Sequence, residues 1–266
     1  MEKSVRNLYL CAIKINIEMK KLLISALTVL ALAGCKEKVD YKVSAGAVSG
    51  TSDAFVWQND RARFCVYGDS MENGCITPGI DVWSSGIDSI SELANIQNLG
   101  CGATVPMIDD SLCFPAKNYE SFQILSLTPD QVSFVLHYPK WKVGKYTVSL
   151  GKQITISAGQ NFCKIIDVYN GNFDSLTVAA GIVRDDIRDE RFTTDGFAFW
   201  QPEGRGLALL MPQADSVIRY SPDGHSLAVK TVYEGEALYS YIGTIQKNDS
   251  CVNAADWFEI VSAFKP

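Results

Sequence analysis

The sequence has 266 residues, 47% hydrophobic and 20% charged, an ordinary globular composition that excludes disorder and fibrous repeats. Lysine plus arginine number 24 against 30 for aspartate plus glutamate, and the net charge of −6 excludes the basic footprint of a nucleic-acid binder. Two histidines and no closely spaced cysteine pair leave nothing for a multi-histidine or zinc-knuckle site, so neither metal nor cofactor is expected.

Residues 1–18 read as an upstream extension, because a secretory signal begins afresh at Met19. Lys20 and Lys21 supply its positive end, and Leu22 to Ala33 an apolar run too short to span a bilayer stably. The run ends Leu32-Ala33-Gly34-Cys35, which has the form of a bacterial lipobox, with Cys35 the lipidated residue. Several acyl chains anchor firmly, since each buried CH₂ contributes about 0.8 kcal/mol. Lys36-Glu37 after the cysteine does not match an inner-membrane retention signal, so an outer-membrane lipoprotein is expected, its membrane face left open. The first 34 residues hold five basic and two acidic groups, and the remaining chain is too acidic to dock on anionic lipid by charge. The anchor is then the only membrane contact.

Residues 35–52 lack large apolar residues at any period and read as a tether; 53–266 read as a single domain. Trp57-Gln58-Asn59-Asp60-Arg61 and Phe64-Cys65-Val66-Tyr67 open that domain. Gly68-Asp69-Ser70 invites comparison with an esterase nucleophile block, but Asp223-Gly224-His225 is one residue short of the matching base motif and no crossover helices follow. A Ser70-dependent esterase is therefore a distant alternative. Val132, Phe134, Leu136 and Tyr138 line one face of a strand, and Tyr146 to Leu150, Ile154 to Ile156, Phe162 to Tyr169 and Ala237 to Ile245 repeat the alternation. Thr128-Pro129-Asp130, Ser157-Ala158-Gly159, Asn170-Gly171-Asn172 and Ser221-Pro222-Asp223-Gly224 supply the turns between them. The pattern predicts an all-β antiparallel sandwich. Arg184 to Arg191 is dense in carboxylates, but its interleaved arginines favour a solvated loop over a calcium site. One helix closes the chain: Ala254, Trp257, Phe258, Val261 and Phe264 follow helical spacing after an Asn253 cap, Asp256 falling in the first turn.

Six cysteines remain beyond Cys11 and Cys35, with Cys101 and Cys113 the pair to test for a disulfide in an exported protein. Trp57, Tyr67, Trp83, Tyr138, Trp141 and Trp200 stand beside Gln, Asn, Asp, Arg and Lys. Sugars want that mixture, because ring C–H faces stack on aromatics while hydroxyls need polar partners.

In order along the chain, Trp57-Gln58-Asn59-Asp60-Arg61, Gly79-Ile80-Asp81-Val82-Trp83, Gly100-Cys101-Gly102, Lys152 with Ile154-Thr155-Ile156, Ala179 to Val183, His225-Ser226-Leu227-Ala228 and Ala255-Asp256-Trp257 resemble the blocks of domain of unknown function family 4861. That resemblance implies exported proteins of glycan-degrading Gram-negative bacteria and a sandwich of the supersandwich type, with one C-terminal helix. No reaction comes with it. The segment between Trp83 and Gly100 lacks the family's Tyr-His, and Gln58 replaces its Glu, so a member that binds without catalysing is one reading. The expected function is an outer-membrane lipoprotein that binds or processes a complex, possibly uronate-bearing polysaccharide; the alternative is a non-catalytic glycan-binding or complex-forming lipoprotein. On this reading Arg61, Lys152 and His225 face a carboxylate, Trp57 and Trp83 stack on rings, Asn59 and Asp81 join the same substrate-binding cleft, and His225 and His137 are the acid/base candidates. The partners are a polysaccharide or oligosaccharide and the membrane through the lipid anchor. Cys35→Ala is expected to release the protein from the membrane fraction or stall it as an uncleaved precursor; a variant still membrane-bound with a processed N-terminus, by fractionation and N-terminal sequencing, sinks the lipoprotein reading.

Overall fold

The computed structural model describes residues 40–48, 54–68, 79–83, 99–115, 117–248 and 250–266. In chain order these form β1 (Ser44–Val48), β2 (Ala54–Gln58), β3 (Arg63–Tyr67), β4 (Asp81–Trp83), β5 (Cys101–Ile108), β6 (Ser111–Leu112), β7 (Ser121–Leu127), β8 (Gln131–Val143) and β9 (Tyr146–Ser157). They continue with β10 (Phe162–Gly171), β11 (Ser175–Val183), β12 (Asp189–Phe192), β13 (Gly196–Trp200), β14 (Arg205–Leu210), β15 (Ser216–Ile218), β16 (His225–Tyr233), β17 (Ala237–Gln246) and the helix α1 (Ala254–Ala263). Among the described residues, the predicted antiparallel all-β sandwich with one terminal helix is what forms.

An eight-stranded sheet, β12-β13-β14-β17-β10-β9-β8-β7, carries one apolar face of alternate residues, among them Phe134, Ile154, Ile165 and Leu209. Against it lie a five-stranded sheet, β15-β16-β11-β5-β6, and a four-stranded sheet, β1-β2-β3-β4, all sharing one core. The two smaller sheets meet at a main-chain bridge, where Cys101 N–H donates to Ile80 O at 2.7 Å. Gly100 has φ +56 there, and a Cβ on it would strike the Ile80 backbone, which explains a glycine at this point of the Gly-Cys-Gly run.

The tether expected to reach residue 52 ends sooner. Val43 is buried and Ser44–Val48 pairs with β2 along its whole length, because small residues still supply backbone donors and acceptors to a ladder. The two alternating runs at Tyr146–Leu150 and Ile154–Ile156 are one strand. Lys152 sits between them in the inward register and breaks the apolar pattern without breaking the strand.

Lys152 is opposite Asp167 on β10, and its ammonium donates to both carboxylate oxygens at 2.8 Å. Both side chains are fully buried. Thr104 on β5 donates to Asp167 Oδ2 at 2.6 Å and accepts from Tyr169 at 3.0 Å, so the pair is tied across the sandwich to the facing sheet. Burial and the Asp167 charge hold the Tyr169 phenol well above its usual range, so it stays a donor.

The opposite face of the large sheet is covered at one end by α1. Asn253 accepts from the N–H groups of Ala255 and Asp256 while Asp256 accepts from the cap, a capping box at the predicted position. Trp257 lies flat over Gly206 and Phe162 over Gly243, where any Cβ would collide with the rings. Trp257 also donates to Leu207 O at 3.2 Å.

Asp167→Ala is expected to destabilise the fold by about 3–5 kcal/mol in urea unfolding, since it strands a buried ammonium. Lys152→Met with Asp167→Leu should cost less than that single change; equal losses would show that packing rather than charge sets the penalty.

Candidate functional site

The turn between β2 and β3 is fixed by side-chain amide chemistry. Asn59 Oδ1 accepts from Arg61 N–H at 2.9 Å and Ala62 N–H at 2.8 Å, and its Nδ2 donates to Ser157 O at 2.7 Å and Gln160 O at 2.8 Å. Those four bonds use its whole capacity. Asp60 Oδ1 accepts from Gly159 N–H at 2.6 Å, bolting the same turn to the one between β9 and β10. Arg61 is thereby set at a rigid position with its side chain exposed, and among the described residues its guanidinium has no partner.

Arg61 lines a groove of about 1000 Å³ between these turns and the end of α1. Lys247 after β17 and Lys265 after α1 line it too, against one described carboxylate, Asp60, which is already engaged. Phe162 and Phe264 stack at 4.1 Å between centroids and give it an aromatic wall, with Gln160, Asn161 and Asn248 as polar lining. Three cations, amides and a ring pair form a surface for an anionic, hydroxyl-rich ligand.

Beyond Phe264 the outer face of the large sheet continues without a described element over it. Tyr241, whose ring centroid is 5.4 Å from that of Phe264, begins a row through Lys164, Thr155 and Ser133, and Tyr239, Ile166, Gln153 and Val135 form the next. Thr155 and Gln153 both donate to the Ser133 hydroxyl, at 3.0 and 3.3 Å, and Lys164 lies 4.9 Å over the Tyr239 ring. His137 is exposed on this face, paired with Ser121 and Gly151.

Other expected site residues are used differently. Trp57 is fully buried and stacked on Phe64 at 5.6 Å, so it has no face open to a sugar; as an inward position of β2 it packs the core. Lys152 does face a carboxylate, but that of Asp167 inside the sandwich. Asn59 spends its amide on main-chain partners rather than on a ligand. His225 is buried, with Nε2 accepting from Leu99 N–H at 3.2 Å, which assigns the proton to Nδ1 beside Asp223 Oδ1 at 3.1 Å. Both nitrogens are occupied, so it presents no free nitrogen as an acid or base. Asp81 is buried and accepts from the Tyr67 hydroxyl. Burial, with Cys65 and Asp81 nearby, raises the Tyr67 phenol and keeps that donor protonated. Trp83 pairs with Arg63 through its backbone, its side chain outside what is described, as are Ser70 and Cys35. Of the expected set, the structure brings Asn59 and Arg61 together in one turn.

The described cysteines are free thiols. Cys113 N–H bonds to Pro106 O, five residues along β5 from Cys101 and roughly 17 Å away at strand rise, which forbids that disulfide. Burial pushes the Cys163 thiol up to about 12, and those of Cys65 and Cys101 higher still, so none of the three supplies a thiolate nucleophile. In the acidic run, Glu190 accepts from Arg184 at 2.5 Å and also from Arg219. Burial alone would raise its carboxyl; the two arginines outweigh it and hold it below the usual range.

Lys247 and Lys265 had no signal in the sequence: each follows the last periodic residue of its element, where a lone lysine looks like any solvated chain end, while Phe264 was visible as part of the helical stripe. Tyr239 and Tyr241 were visible as one strand face, but not that this face is left open.

The family model for "Domain of unknown function (DUF4861)" matches residues 97–266, leaving the Trp57 and Gly79 blocks upstream of the match. "Uncharacterized protein P7" of Formosa agariphila is 23% identical over 187 residues, 57% of this chain and 46% of that protein. The chain thus spans about half the length of that relative. Among solved structures, heparan sulfate lyase HepC from Pedobacter heparinus is 8% identical with a TM-score of 0.47, over 76% of this chain and 36% of that one. A putative aldose 1-epimerase from Klebsiella pneumoniae is 10% identical with a TM-score of 0.45, over 83% and 87%. Likeness this loose assigns neither ligand nor reaction. By the match over its larger part, this chain belongs to the DUF4861 family.

Proposed function

We propose that this chain is a lipid-anchored protein of the outer membrane that binds an acidic polysaccharide, of uronate type, without cleaving it. The observation that carries the reading is the Arg61 guanidinium, without a partner among the described residues, carried on a turn whose backbone is fixed and sharing the groove with Lys247 and Lys265. A planar fork of donors matches a carboxylate in two parallel hydrogen bonds, which a lysine cannot do. Preorganisation of the turn adds to this, because its backbone freedom is already spent on Asn59 and Asp60 before a ligand binds. Half-buried Phe264, backed by the buried Phe162, offers apolar area to pyranose C–H faces, and the open sheet beyond it continues in tyrosine, amide and hydroxyl groups. The groove is wide enough for several sugar units.

Binding without chemistry is favoured by what the histidines do. His225 is locked between Asp223 and a backbone amide, and His137 stands on the open sheet with no described carboxylate hydrogen-bonded to it. The anchoring half of the reading rests on the Leu32-Ala33-Gly34-Cys35 box.

Calorimetric titration of the protein with an oligouronate and with its neutral counterpart tests the site. The acidic ligand should bind more tightly, and its affinity should fall as salt rises. Arg61→Lys should weaken it by at least ~1 kcal/mol, since hydrogen bonds to charged groups contribute roughly 1.5–3 kcal/mol. Thermal stability should hardly change, because Arg61 is tied to the fold by its backbone. Failure of any acidic oligosaccharide to bind, or unchanged affinity with lost stability, overturns the assignment.

A further inference from the structure

The acidic residues of this chain avoid one surface. Aspartate and glutamate number 30, yet among the described residues no outward position on five neighbouring strands, β17, β10, β9, β8 and β7, carries a carboxylate. Tyr239, Tyr241, Lys164, Gln153, Thr155 and the exposed His137 stand there instead. Lys164 lies 4.9 Å over the Tyr239 ring, and no described carboxylate pairs with it. A ring contact leaves the ammonium its charge, so this cation can still take an anion. Lys142 adds a second cation at the far end of the face, where it donates to Thr147 at 2.8 Å. The face is also continuous with the groove. Phe162, which lines the groove, is the outward residue of β10 two positions before Lys164, and the Phe264 ring centroid lies 4.1 Å from that of Phe162 and 5.4 Å from that of Tyr241. Gly159, to which the Arg61 turn is bolted, comes five residues before Lys164, at most roughly 16 Å of extended chain.

We propose, resting on the reading of the groove as a uronate site, that this sheet face is a second subsite for the same acidic polysaccharide. The chain leaves the groove past Phe264 and Tyr241, and Lys164 takes the carboxylate of a later sugar. Three features together select that occupant. A cationic face free of carboxylates on an acidic protein suits a polyanion and repels none of its charges. The shared Phe162, Phe264 and Tyr241 contacts deliver the ligand of the groove to the edge of this face. The hydroxyls of Thr155 and Ser133 and the amide of Gln153, already linked to one another, suit a chain that carries hydroxyls along its whole length. From β17 to β7 the sheet offers four strand spacings, about 19 Å, so several sugars can lie on it.

Calorimetry with galacturonate oligomers of two and six units, and with neutral oligomers of the same lengths, separates the two subsites. The acidic hexamer should bind at least about tenfold more tightly than the acidic dimer, because the second contact is made within one complex. The neutral pair should show a smaller gain. Lys164→Gln should weaken the hexamer by about fivefold or more and leave the dimer unchanged, whereas Arg61→Lys should weaken both. Gln153 provides a readout that misfolding cannot imitate. It lies opposite Ile166, four residues along the sheet from Phe162, roughly 13 Å and beyond the ~8 Å screening length at physiological salt. Gln153→Lys should therefore tighten the hexamer and Gln153→Glu loosen it, with the dimer unmoved by either. If neither acidic oligomer binds, the groove reading falls and the second subsite with it. If the dimer binds through Arg61 but the hexamer gains no more than its neutral counterpart, or gains affinity that neither Lys164→Gln nor the Gln153 variants alter, the second subsite alone is overturned.

Discussion

A lysine and an aspartate on neighbouring central strands, sealed between two layers of sheet, set the terms for the rest of this fold. Two buried charges cost several kcal/mol each unless they meet each other and further hydrogen bonds. Lys152 and Asp167 satisfy that condition only in the observed register, as direct cross-strand partners facing inward. Slipping β9 against β10 by one residue would send one charge to the outer face and leave the other alone in the core. The pair therefore specifies register where apolar residues alone would tolerate repacking. Thr104 extends the constraint to the facing sheet, so the layers are locked in position as well as pressed together.

The groove inherits its geometry from that lock. Ser157 O, which holds Asn59, is on the last residue of β9, five positions beyond Lys152, and Gly159 and Gln160 belong to the turn leading into β10. The turn carrying Arg61 is thus fastened to the ends of the two strands whose register the ion pair fixes. Across the groove, α1 is placed by apolar pressure instead. β13, β14 and β17 are apolar on both faces there, and Trp257 and Phe162 settle against the glycines that make room for them. One wall is set by hydrogen bonds and charge, the other by burial.

The same division explains what could be read from the sequence. Alternation revealed the strands with one wet face, β8, β9, β10 and β17, and the Asn253 cap with Asp256 revealed the helix. β13 and β14 hid, because burial on both sides removes the period-2 signal that marks a strand. Lys152 misled for a physical reason: a lysine is almost never fully buried, so an isolated one inside a strand reads as a surface or site residue, and Asp167 fifteen residues on announces nothing. Trp57 misled through its neighbours, since Asn59 to Arg61 belong to the turn while Trp57 belongs to the core. Arg61 was legible because the Trp-Gln-Asn-Asp-Arg run as a whole singles it out. Lys247 and Lys265 join it only through tertiary structure, from chain ends without a periodic pattern.

The placement of unpaired charge follows from the same energetics. Inside the sandwich Lys152 and Asp167 neutralise each other, because low dielectric makes an orphan charge intolerable. Cations that remain uncommitted must sit where water reaches them, at turns and element ends, and there they gain little from casual surface partners. A groove bounded by such ends concentrates uncommitted positive charge on an otherwise acidic protein. Arg61 differs from an ordinary surface arginine in one respect that bears on recognition: its backbone is immobilised by a side chain two residues earlier, so on binding a carboxylate only side-chain freedom, not loop freedom, is lost.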